Sequence, residues 1–157
     1  MAFSQTFKPQ LGLTLLELLV VLAIASVLAG IAVPSFQQQI ATSRLKSASS
    51  QLYLATIRAR SEAVKRNTSI SITPTSGDWI NGWRIETGDG ATIAIQAPLK
   101  GVAFRRAPAS VIFLISGRTR AGITPPSFQI EAAYDSEIVR CLTIDASGRP
   151  YVRASTC

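Results

Sequence analysis

Glu17 is the one charge in an apolar run that spans residues 13–33. A charged side chain at the centre of a membrane-length helix costs about 2.5–3.5 kcal/mol, and such residues mark function more often than packing. A short polar leader, MAFSQTFKPQLG, precedes the run and carries one charge, Lys8. Arginine is the second set with chemical potential. The pairs Arg105-Arg106, Arg118-Thr119-Arg120 and Arg149 with Arg153 read as residues of turns or tail. Guanidinium groups contact phosphate or carboxylate through two parallel hydrogen bonds. Together with Tyr151 they could neutralise phosphates and stack on bases. The same groups could instead meet an acidic protein neighbour, or only keep the chain soluble.

The formal net charge is +7, from 16 Lys and Arg against 9 Asp and Glu. That balance attracts anionic lipid, nucleic acid or acidic partners. The chain has no His, which excludes a His-ligated metal and a His-based triad. Its acidic residues are scattered, and Gly88-Asp89-Gly90 is a turn without the lysine of a phosphate-binding loop. No enzyme, metal or cofactor is implied. Cys141 and Cys157 are the two cysteines. In a chain moved across a membrane they form one disulfide, worth about 3 kcal/mol in the chain-entropy picture. In a cytosolic chain Cys157 would be a free terminal thiol.

These residues need elements to hold them. With 157 residues there is room for one globular domain. As a helix, residues 13–33 would be about 31 Å long, enough to cross a bilayer core. The run is too long for a secretory signal, and no small-residue cleavage site follows it. Lys8 on one side and Arg44 and Lys46 on the other leave its orientation open. Pro34 should end or kink the helix. Beyond it Leu45, Ala48, Leu52, Ala55, Ala59 and Ala63 recur at helical steps on one face, carrying the helix to about Arg66. After Asn67 the pattern turns to strands, expected at 69–73, 82–86, 92–96, 111–115, 128–132 and 138–144, with Gly, Pro and Asp turns between them. A helix followed by antiparallel strands predicts an α+β domain, with the alanine face packed on a sheet.

The segment Gly12-Leu13-Thr14-Leu15-Leu16-Glu17-Leu18-Leu19 resembles the N-terminal signature of type IV pilins and type II secretion pseudopilins. Trp79-Ile80-Asn81-Gly82-Trp83, Arg140-Cys141-Leu142-Thr143-Ile144 and Gly148-Arg149 resemble the pseudopilin H/FimT/FimU family of minor pilins. For the two tryptophans, core packing is the better reading. The resemblance implies a type IV pilin-like fold in three parts. Residues 1–12 are a leader, 13–36 a transmembrane and filament-core helix, and 37–157 a periplasmic head. It implies a cut by prepilin peptidase between Gly12 and Leu13, and methylation of Leu13 as the new N-terminus. It implies that Glu17 attracts the terminal amine of a neighbouring subunit during assembly. The expected partners are major and minor pilins, the peptidase and the inner membrane, with the pilus on the cell surface as the destination. One branch of the family binds DNA through a Gly-Arg-x-Arg motif near its C-terminus. Gly117-Arg118-Thr119-Arg120 has that pattern in mid-domain, and Gly148-Arg149 with Arg153 has the location with wider spacing. Double-stranded DNA is therefore a candidate ligand of Arg105, Arg106, Arg118, Arg120, Arg149 and Arg153. A minor pilin that primes assembly at the tip and a pseudopilin of a type II secretion system are both compatible with these residues.

Overall fold

A computed structural model describes residues 14–120 and 124–157; Gly12 and Leu13 lie outside them. The chain divides into two compact units between Phe36 and Gln37. One helix, α1, runs Leu15–Arg66 and contributes to both.

In the first unit α1 is apolar and long enough to cross a membrane. Its start is set by Thr14, whose Oγ1 accepts the backbone N–H of Glu17 at 3.2 Å. A hydroxyl at that position satisfies one of the donors a helix leaves unpaired at its first turn. Leu15, Leu16, Leu18 and Leu19 are all more than half exposed. Such a surface is at home only among lipid tails or other apolar helices. The helix continues through Pro34 and does not end there. The proline removes one donor and crowds the carbonyl of residue 30, yet the helical turns on either side carry the chain through.

In the second unit α1 buries Leu45, Ala48, Leu52, Ala55, Ala59 and Ala63, the stripe expected from their spacing, and Ala41 one turn before it. Its end is marked by Lys65 and Arg66 in the last turn, where cations oppose the helix dipole. Asn67 then adopts a left-handed φ of 51°, and Thr68 N–H reaches back to the carbonyl of Ala63 at 3.3 Å. That pattern closes a helix C-terminus.

Eight strands follow: β1 (Ile70–Pro74), β2 (Trp83–Thr87), β3 (Thr92–Ile95), β4 (Val102–Arg106), β5 (Val111–Phe113), β6 (Ser127–Ala132), β7 (Val139–Ile144) and β8 (Pro150–Arg153). They form two antiparallel four-stranded sheets, in the orders β3-β2-β1-β5 and β4-β6-β7-β8. The α+β expectation holds, with two sheets in place of one. Two strands are not announced by the sequence pattern. β4 ends in two arginines and β8 begins with proline, so neither alternates cleanly along its length, and both are edge strands where such residues are tolerated.

Side chains from α1 and both sheets meet in one core that includes Leu45, Leu52, Ile70, Ile72, Phe113, Phe128, Leu142 and Ile144. Trp79 and Trp83 belong to it, as expected. Trp79 meets Phe128 edge to face at 4.7 Å between ring centres, and its indole N–H donates to the carbonyl of Pro108 at 2.8 Å. Burying an indole requires such a partner.

Candidate assembly and binding surfaces

Glu17 lies in the first turn of α1, where a carboxylate suits the positive end of the helix dipole. Thr14 and Glu17 have the spacing of a capping box, a Thr with an acidic residue three positions later. The Thr14 cap was missed in the sequence although this spacing announces it. Glu17 thus has one local role, at the helix start. Its side chain makes no ion pair among the described residues.

The arginines do not form one patch. Arg105 and Arg106 do not lie in a turn; they end strand β4, where the sheet register shifts. Arg105 Nε donates to Glu131 Oε2 at 2.7 Å, and this bond holds the guanidinium even more firmly protonated than usual. Glu131 is largely buried and also accepts from Gln129 Nε2 at 3.2 Å. Arg153 is not in a loose tail either. It ends β8 opposite Cys141, with its guanidinium 5.2 Å from the centre of the Tyr151 ring. Arg106, Gln129, Cys141 and Arg153 are successive register partners across the second sheet.

The other arginines sit on two turns that the fold brings together. After β5 the chain reverses: Leu114 N–H donates to Arg118 O at 2.8 Å, and Phe113 pairs with Thr119. Gly117 is at the tip of this turn, with φ 73°. The turn between β7 and β8 is built on Asp145, whose Oδ1 accepts Ser147 Oγ at 2.6 Å and the backbone N–H of Arg149 at 2.9 Å. These bonds, the Ser147 hydroxyl first, hold the Asp145 carboxyl below the ordinary carboxylate range. The turns touch: Thr119 Oγ1 donates to Asp145 O at 3.2 Å, and Gly148 packs so tightly on Gly117 O that no Cβ would fit. Arg60 of α1 joins them by donating from Nε to Gly117 O at 3.2 Å. Arg118, Arg120 and Arg149 are exposed around this junction. Arg60 was missed in the sequence, and nothing local relates it to a residue 57 positions away.

Cys141 and Cys157 form a disulfide that ties the end of the chain to β7. Cys157 N–H also points at Gln129 Oε1, at 3.5 Å. No group of His, Cys, Asp and Glu among the described residues could hold a metal ion.

These features have counterparts. A family model described as type II transport protein GspH matches residues 48–148, and one described as the prokaryotic N-terminal methylation motif matches residues 7–33. A search among curated proteins finds no match. Among solved structures, the type IV minor pilin FimU of Pseudomonas aeruginosa is similar in two crystal forms. One has 25% identity over 69% of this chain and 87% of that one, with a TM-score of 0.59. The other has 26% identity over 69% and 92%, with a TM-score of 0.58. The minor pseudopilin EpsH of the type 2 secretion system of Vibrio cholerae shares the fold at 13% identity, over 71% of this chain and 97% of that one, with a TM-score of 0.54. With a family match across more than half its length, a methylation motif ahead of an apolar helix, and that helix leading into antiparallel sheets, this chain belongs to the GspH family of minor pilins and pseudopilins.

Proposed function

We propose that this chain is a minor pilin of a type IV pilus, cut by prepilin peptidase after Gly12 and methylated on Leu13. It waits in the inner membrane with residues 37–157 in the periplasm. It then enters the filament at or near the tip, where it helps to prime assembly. The observation that carries the reading is Glu17, a carboxylate in the first turn of a helix whose surrounding leucines are exposed. In lipid an unpaired carboxylate is costly, and a neighbouring subunit's terminal amine relieves that cost. Pairing therefore draws the next subunit into register. Its work is structural, as in its pilin relatives, and no reaction is assigned to it.

Glu17→Ala tests this. The variant should be processed and inserted normally, yet be absent from sheared pili when both fractions are probed with antibody. Normal incorporation overturns the reading.

Two further readings rest on particular observations. The description of the matching family favours a pseudopilin of a type II secretion system. Deleting the chain and scoring piliation, DNA uptake and exoprotein secretion together separates the two: loss of secretion with normal pili selects the pseudopilin. The junction of the Gly117 and Gly148 turns, with Arg118, Arg120 and Arg149 exposed around it, favours capture of double-stranded DNA by the assembled pilus.

A further inference from the structure

A groove of about 690 Å³ runs beside α1 in the second unit, between the helix and the start of β8. Tyr53, Ile57, Ser61 and Lys65 follow one another at four-residue steps and form one ridge of the helix. Val64 lies beside them, and Pro150 lines the opposite side. Ile57 and Val64 are 43% and 56% exposed, although both lie on a helix whose other face is the core. The charges in the groove are of one sign, from Arg60, Lys65 and Arg149. Among the described residues no carboxylate lines it, and Glu62 on the same stretch of helix is already paired with Arg66.

We propose that this groove receives an amphipathic helix bearing carboxylates, supplied by a different pilin subunit. A ridge of large and small side chains four residues apart is the surface into which another helix packs. Apolar anchors at Ile57 and Val64, seven residues apart, match a helical partner, as in other helix-in-groove recognition. The three cations require acidic residues on that partner, and their arrangement steers its approach. A second copy of this chain fits poorly. It would bring Arg60, Lys65 and Arg149 against another basic head, and three of its glutamates, Glu62, Glu86 and Glu131, are occupied by Arg66, Arg84 and Arg105. DNA fits less well, because half of the lining is aliphatic or aromatic and lies on a helix face. The inference rests on the pilin reading and adds the chemistry and place of one contact.

The test uses the full chain in cells that carry its own set of pilins. A photo-cross-linking residue replaces Ile57 in one strain and Val64 in another, both exposed positions where the fold should tolerate it. Illumination should join the chain to a different pilin, and peptide mapping should place the link on a helix with acidic residues at three- or four-residue steps. The double variant Lys65→Glu, Arg149→Glu should lower the adduct at least tenfold at equal protein level, with the Cys141–Cys157 bond intact as evidence of folding. An adduct only with the chain itself, only with nucleic acid, or none at either position overturns the proposal. So does an adduct indifferent to the charge reversal. The pilin reading fails separately: a Glu17→Ala chain that enters pili normally overturns that reading whether or not the adduct forms.

Discussion

At the scale of single residues, the junction of the two turns depends on Gly148. A Cβ there would come within 2.1 Å of Gly117 O, a backbone atom that cannot swing aside, and φ is 83°. Gly148→Ala should therefore destabilise the protein by about 2–3 kcal/mol, combining conformational strain with displacement of the neighbouring turn. Gly90 has φ 89°, but a Cβ added there would meet nothing within 4 Å, so Gly90→Ala should cost only about 1 kcal/mol. Denaturant midpoints of the two purified variants check the difference; equal midpoints would show that the turns do not press on one another. Asp145 offers a second check. Its carboxyl is lowered in the folded chain, so the unfolded chain takes up the proton first as the pH falls. The stability this contributes is complete above the ordinary carboxyl value of 3.8 and fades as the pH drops through the lower folded value. Asp145→Asn should thus be less stable than the parent at pH 7, and the gap should narrow as the pH falls below 3.8. Thermal unfolding across that range checks this: a gap that stays constant would mean that the charge plays no part.

At the scale of elements, α1 separates two kinds of leucine within a single turn. Leu52 is fully buried, while Leu54 is 62% exposed. Leu52→Ala should cost about 2–5 kcal/mol, and Leu54→Ala should stay within about 0.5 kcal/mol, by the same denaturant measurement. Cys157→Ser should cost about 3 kcal/mol by freeing the terminal segment, since the bridge closes a loop across a separation of 16 residues. A midpoint unmoved by Cys157→Ser would show that β8 and the residues after it stay docked unaided. This contrast also explains what the sequence made legible. The alanine and leucine stripe of α1 is visible because burial there follows the helical repeat, and the cysteine pair is visible because there are only two. Six strands were found within a residue or two of their ends, because alternation and turn residues are local signals. β4 and β8 were not, because an edge strand accepts Arg105, Arg106 and Pro150 without penalty. The approach of Gly148 to Gly117 and the bond from Arg60 could not be read, because they arise only when β5 and the β7–β8 turn are stacked by the core. The Thr14 cap was open to sequence reasoning, because Thr14 and Glu17 have the spacing of a capping box.

At the scale of the whole molecule, a net charge of +7 says that the chain will be drawn to polyanions, but not where they bind. The folded arrangement divides the task. Arg105 is engaged with Glu131, and Arg153 lies over Tyr151, so these two are held to the second sheet. Arg118 and Arg149 project from touching turns with no ion pair among the described residues. If DNA is a ligand, its phosphates should therefore meet the turns first. Each of Arg118→Ala and Arg149→Ala should reduce the slope of log affinity against log salt by about one, as expected for one lost phosphate contact. Arg105→Ala should leave the slope nearly unchanged, although it removes the same formal charge. Titrating double-stranded DNA with the purified chain at several salt concentrations tests this directly. Equal effects from all three variants would mean that overall charge, and not the paired turns, sets the affinity; no measurable binding by the parent would remove DNA from its ligands and leave the turns to protein contacts.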